Sequence, residues 1–366
     1  MKQPESAVGR FGRLTFNHQR DRRSMNRIIG GMFGLKVEPD AHCTAPPFLA
    51  KRHILLSTAR SGIAFLMGYL VPNSVWMPSY LCDVMLKAVV GSQVKFYPID
   101  ACLRIASKEW MNALREGDLV LFIDYFGFPT EEEMVQAAKQ KQAWVIMDAS
   151  QALLSNTAQP LADFVLYSPR KYLGVPDGGI LATNNPAISI RDQQLPTPPP
   201  SWWLRSLRAS VLRYEFDQYG GEREWFNIFR QVDSEGPISP CQMSELSQLL
   251  LQHHFDYPSI AQRRSDNYTK LLEQLGEYAL FGTLPQGVVP LGFPVRVRNR
   301  AQVRQHLFEH NVYPPVHWPI EGSVPDRFQD SHRLSDEIMT LVCDQRYTAD
   351  DMARTALLFR RVAEAT

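Results

Sequence analysis

The chain has 366 residues, 45% hydrophobic and 21% charged, and a formal net charge of +1. That balance suits a soluble globular protein of roughly two domains with a large core, and it gives no general pull toward nucleic acid or an anionic membrane. No apolar run approaches the roughly 18 residues a membrane span needs. The opening stretch MKQPESAVGRFGRLTFNHQRDRR lacks the apolar segment of a secretory signal and reads as a loose arm. Cys43, Cys82, Cys102, Cys241 and Cys343 are odd in number and never spaced C-x-x-C. They argue against a disulfide framework and a zinc site, and for a reducing cytoplasm.

From residue 53 short β-like runs alternate with helical ones. HILLS (53–57) precedes the helical RSGIAFLMGYL. SVWMP (74–78) precedes LCDVMLKAVVG, and QVKFYPID (93–100) follows. GDLVLFIDYFG (117–127) is almost continuously apolar, as expected of a strand covered on both faces. In PTEEEMVQAAKQK, Thr130 and Glu133 have capping-box spacing. AWVIMDAS (143–150) and ADFVLYS (162–168) read as further strands. The alternation predicts an α/β domain around a mostly parallel sheet.

LPTPPPSWW (195–203) reads as a linker or rigid surface loop. Helical patterns run from Trp203 to about Leu275. VVPLGFPVRV, RAQVRQHLFEH and ADDMARTALLFRRVAEA then suggest a smaller α+β domain, joined by the N-terminal arm.

Ligands in open α/β sheets sit beyond the carboxyl ends of the strands, and three such ends carry polar residues. STARSG places Arg60 and Ser61 at a helix start, which suits either an anion site or a plain capped turn. Asp148 follows WVIM and could cap the next segment or face a ligand cation. In YSPRKYLGVPDGGI, Lys171 is either a solvated charge or a reactive amine, with Ser168 three residues before it. An anion cradle, a carboxylate and an amine together are what pyridoxal 5′-phosphate (PLP) requires.

TARSGIAFL, WMPSYLCDVMLKAVVGSQVKFYPID, IMDASQA, YSPRKYLGVPDGGILAT, CQMSELSQLLLQ and RRSDNYTKLLEQL, in this order, resemble segments of the DegT-like sugar aminotransferases. These are fold-type-I PLP enzymes of the aspartate aminotransferase superfamily. The resemblance implies an N-terminal arm (1–50), a PLP-binding large domain (51–252) and a small C-terminal domain (253–366). It implies Lys171 as the Schiff-base lysine and proton-transfer base, and Asp148 as the partner of the pyridine nitrogen. Gln151 would contact the ring or its 3-oxygen, and Ser168 the phosphate, with the amides of Arg60 and Ser61. The ring-stacking position falls near Cys82, which cannot stack, and Tyr80 is the nearby substitute. No Asn stands around Pro240–Gln242, where the family's partner subunit reaches the phosphate.

The implied activity is transamination from an amino acid, glutamate foremost, to a keto-sugar nucleotide or similar ketone. It implies a cytoplasmic homodimer with the active site at the interface. A non-catalytic or regulatory PLP-fold protein is the alternative. For proton transfer near neutral pH, Lys171 would need an amine pKa lowered by roughly 3 units, which burial beside Arg170 favours.

Two other patterns stand beside this reading. His306-Leu307-Phe308-Glu309-His310 fits the H-x-x-E-H zinc spacing but lies on an amphipathic helix, where it reads as a solvated face. VHWP (316–319) and CDQRY (343–347) read equally as a substrate entrance or as an aromatic core contact.

Overall fold

The computed structural model describes residues 27–156, 161–186 and 194–364. Most of the expected N-terminal arm, residues 1–26, lies outside the described residues. Strand β1 (Ile29–Gly30) pairs in parallel with a C-terminal strand described below.

The apolar runs form a seven-stranded sheet. Its members are β2 (His53–Leu56), β3 (Val75–Pro78), β4 (Val94–Tyr97), β5 (Leu119–Ile123), β6 (Trp144–Asp148), β7 (Phe164–Tyr167) and β8 (Gly179–Thr183). The order is β2-β8-β7-β6-β5-β3-β4, and β8 alone runs against its neighbours. Every residue of β5 is buried, as are four of five in β6, so the covered parallel strands expected from the sequence are present. The carboxyl ends of six strands and the start of β8 share one edge.

Helix α1 (Ala59–Leu70) follows β2, capped by Thr58, whose side chain accepts from the Ser61 amide. LCDVMLKAVVG yields only the short α2 (Val84–Lys87). Helix α3 (Glu132–Gln140) lacks the expected capping box. Thr130 is held instead by the end of β5: its amide donates to Asp124 Oδ1 at 2.8 Å and its hydroxyl to Ile123 O at 2.9 Å.

The proline run is an irregular, largely exposed stretch over 195–199 that then enters a helix. Pro200 begins the long α4 (Pro200–Tyr219), where a proline at the first turn forfeits no hydrogen bond, and Trp202 is already buried. Helix α5 (Glu224–Ser234) packs on α4, and α6 (Glu245–His253) and α7 (Tyr257–Leu275) follow.

The C-terminal third contains β9 (Phe293–Arg296), α8 (Arg300–Glu309), β10 (Val312–Tyr313), α9 (Gln329–Glu337), β11 (Ile338–Leu341) and α10 (Ala349–Ala363). β9 and β11 pair antiparallel, and β10 takes β1 as its partner. Helix α10 starts with a complete capping box between Thr348 and Asp351. The main core is continuous from the sheet through Phe293, Met339 and Phe359. No helix among the described residues is long and apolar enough to cross a membrane.

Candidate active site

The residues predicted from sequence lie in the turns that leave the carboxyl edge of the sheet. Ser57 to Ser61 form the turn between β2 and α1. Gly179, at the start of β8, lies against that turn. A Cβ on it would meet Thr58 C at 2.2 Å and Ala59 N at 2.4 Å, so only glycine permits this approach. The Gly178 amide donates to Ser57 O at 2.9 Å, tying the lysine loop to the turn.

Ser57 keeps a buried hydroxyl with no partner. The hydroxyls of Thr58 and Ser61 each lie 2.9 Å from Pro237 O, and the Ser61 amide is taken up by Thr58. Of the two amides expected to face an anion, that of Ser61 is therefore a capped helix N–H.

The Arg60 side chain is only 10% exposed. It donates to Asp233 O at 3.0 Å and lies 3.9 Å from the Asp233 carboxylate, which Arg170 binds at 3.0 Å. Burial pushes the Arg60 pKa down; Asp233 opposes this, and the Arg170 charge adds to it.

Asp148 closes β6 and is buried. Its Oδ1 accepts from the Ser150 amide at 2.9 Å, while its other oxygen has no hydrogen bond among the described residues. The carboxylate thus caps the turn that follows β6 through one oxygen. The Ala149 amide donates to Leu166 O at 2.8 Å, fixing this turn beside β7. Gln151 is buried, its Oε1 accepting from the Phe126 amide at 2.7 Å and its Nε2 unpartnered.

Ser168 and Lys171 bracket a single 3-10 turn, closed by the Lys171 amide on Ser168 O at 3.2 Å. The Ser168 hydroxyl has no hydrogen bond among the described residues. Lys171 is exposed, with neither hydrogen bond nor ion pair among the described residues. The expected burial beside Arg170 does not occur, because Arg170 turns to Asp233.

What fixes the lysine is its neighbour. Tyr172 is fully buried, its hydroxyl donating to Gln151 O at 2.5 Å and its carbonyl accepting from Gln345 at 2.6 Å. The Arg264 guanidinium lies 4.2 Å from its ring centroid.

Tyr80 is 0% exposed, its ring packed 6.0 Å from Tyr125 and 5.6 Å from Trp318. Cys82 is less enclosed and lies near Lys171, whose charge partly offsets the upward push of burial on the thiol.

Two site residues carry little sequence signal. Asp177 accepts from the Ser244 amide at 2.8 Å and its hydroxyl at 2.5 Å, and also from the Ser247 hydroxyl, anchoring the lysine loop to α6. Burial raises its pKa against those hydrogen bonds. His317 Nδ1 lies 2.9 Å from Thr340 Oγ1, and its pKa is pushed down to about 3 by burial and then by Lys171. In VHWP, Trp318 packs against Tyr80 and Tyr125, the aromatic contact expected of it, and His317 lies near enough to Lys171 to feel its charge.

His306 and His310 have ring centroids 4.5 Å apart. Among the described residues no group of three or more His, Cys, Asp or Glu could hold a metal. A cavity of about 640 Å³ is lined by residues including Lys36, Asp40, Gly174, Arg263, Gln345 and Arg346. Of the residues described above only Gln345, which holds the Tyr172 carbonyl, lines it.

By sequence, no family profile and no curated protein matches the chain. By structure, it is similar to a Streptococcus pneumoniae protein assigned as a sugar aminotransferase, in its PMP form. The TM-score is 0.64 at 16% identity, over 86% of each chain. It is similar to a DegT DnrJ EryC1 StrS aminotransferase of Brucella abortus, with a TM-score of 0.60 at 15% identity over 97% of this chain and 100% of that one. NtdA of Bacillus subtilis, with bound cofactor PMP, gives 0.62 at 17% identity over 95% of this chain and 81% of that one. The chain therefore has the fold of the fold-type-I PLP aminotransferases, as the sequence resemblance implied.

Proposed function

We propose that this chain is a PLP-dependent aminotransferase that takes an amino group from an amino acid such as glutamate and delivers it to a keto-sugar nucleotide or a similar ketone. One observation carries the reading. An unpartnered lysine amine and a buried carboxylate with a free oxygen leave adjacent strands at the ligand-binding edge of an aminotransferase fold. The sugar class rests on the sugar aminotransferase of Streptococcus pneumoniae.

The residues present fit the cofactor. The free oxygen of Asp148 suits a protonated ring nitrogen, the orphaned Gln151 Nε2 suits a ring oxygen, and the unpartnered Ser57 and Ser168 hydroxyls suit a phosphate. Held there, the cofactor would supply an electron sink for the substrate carbon. Asp148 would keep the proton on the ring nitrogen, and Lys171 Nζ would move the proton on and off the substrate carbon. The turn beside Gly179 and the clamp on Tyr172 would hold the phosphate end and the lysine in fixed relation. A second copy of the chain would complete the site in a homodimer, and the cytoplasm is the compartment this reading favours.

The test uses purified protein titrated with PLP, then borohydride and peptide mapping. The cofactor mass should be fixed on the peptide containing Lys171 and lost in Lys171→Ala. A labelled peptide elsewhere overturns the assignment. Binding without turnover across a panel of amino donors and keto-sugars would favour the non-catalytic alternative.

A further inference from the structure

The loop CDQRY (343–347) closes on the lysine turn from outside. Gln345 stands there between two groups of opposite kind. Its Oε1 accepts from Arg264 Nε at 2.8 Å, and its Nε2 donates to the Tyr172 carbonyl at 2.6 Å. Arg264 is a fixed point. It is 0% exposed, its Nη1 donates to Pro290 O at 3.1 Å and to Leu291 O at 3.0 Å, and its guanidinium lies over the Tyr172 ring. The next residue, Arg346, is paired with Asp344 and donates to Met32 O at 2.8 Å and to Gly31 O at 3.0 Å. The segment it holds returns to the lysine loop, where the Lys36 amide donates to Gly174 O at 2.9 Å.

A guanidinium only donates and a peptide carbonyl only accepts. A side chain that joins them must carry an acceptor and a donor on one rigid tip. Glutamine does so, whereas glutamate lacks the donor, methionine lacks both and asparagine is one carbon short. We propose that Gln345 is a positioning residue, which passes the fixed position of Arg264 to the peptide that follows Lys171 and so sets where the amine stands. Its part in turnover rests on the proposed function; its hold on the turn does not. Inside the turn the bonds are local, from the Lys171 amide to Ser168 O and from the Tyr172 amide to Pro169 O. They close the turn without placing it. Gln151 O anchors the Tyr172 side chain, and Gln345 anchors its backbone. A shift of about 1 Å at a reacting group can cost roughly a hundredfold in rate, so this bond matters more to turnover than to folding.

Two variants test this. Gln345→Glu keeps the acceptor toward Arg264 and loses the donor, and Gln345→Met keeps the length and loses both. Gln345 is half-buried and lines the cavity of about 640 Å³, which leaves room for water beside either replacement. Melting checks folding, and if Gln345→Glu does not fold, the neutral Gln345→Met carries the same measurements. Hydrogen exchange is read by mass spectrometry on purified protein before PLP is added. Peptides covering 168–175 should exchange about fivefold faster in the variants, as expected for the loss of one hydrogen bond, while those of β5 and β6 keep the parent rate. With PLP bound, kcat should fall about tenfold while KM for the amino donor stays within about twofold. Parent-rate exchange in the turn, or exchange equally faster throughout the chain, overturns the proposal, and so does an unchanged kcat with a raised KM. If borohydride fixes nothing on Lys171 of the parent protein, the functional reading fails, and exchange alone decides the hold of Gln345 on the turn.

Discussion

Replacing Gly179 with alanine tests whether the lysine loop and the turn before α1 must touch. The added Cβ would lie 2.2 Å from Thr58 C and 2.3 Å from Thr58 O, about 1.2 Å short of ordinary contact with rigid backbone. Neither side can yield cheaply. β8 is laddered to β2 and β7, and the turn is pinned by Gly178 on Ser57 O and by the Ser57 amide on Cys241 O. Overpacking of this kind costs about 1–3 kcal/mol, and more where backbone must move. Gly68, inside α1, is the control: a Cβ there meets nothing within 4 Å. Gly68→Ala should therefore stabilise the chain by about 0.5–1 kcal/mol through helix propensity. Urea melts of the two variants should move in opposite directions, and only Gly179→Ala should also weaken phosphate binding. Equal midpoints for Gly179→Ala and the parent protein would refute the close approach.

Asp148→Ala should lower kcat by at least about a hundredfold, since it removes the proton-holding carboxylate, while the lost bond to Ser150 costs about 1 kcal/mol of stability. A variant with normal turnover would end that role. His317 predicts a pH dependence. Its pKa is depressed in the folded state from 6.5 to about 3, so its stabilising contribution is present above pH 6.5 and is lost as the pH falls toward 3. Between pH 8 and pH 5.5 the loss is at most about 1.4 kcal/mol, an upper bound because the ring is partly exposed to solvent. Urea midpoints at the two pH values should differ less in His317→Asn than in the parent, and equal differences would discard the linkage.

Much of the sheet is legible in the sequence because β5, β6 and β7 are buried on both faces and therefore almost purely apolar. Asp148 and Lys171 are legible for a related reason: a polar residue just past such a run must lie at the edge. Other features depend on partners far along the chain. Asp177 finds Ser244 and Ser247 some 70 residues away, and Asp233 finds Arg170 at a separation of 63. Local spacing carries no trace of either. It actively misleads at Thr130, whose hydroxyl prefers the end of β5 to the helix it precedes.

The pairing of Ile29 with Val312 and Gly30 with Tyr313 has a bearing on how the molecule is made. About 280 residues separate the partners, so on a ribosome adding roughly 5–20 residues per second the early strand waits about a quarter of a minute or more for its mate. The sheet between them can assemble first, from strands that emerge in near-consecutive order. The β1–β10 joint is thus a late closure event, and the newborn chain carries an unpaired edge for that interval, a window in which chaperones could engage it.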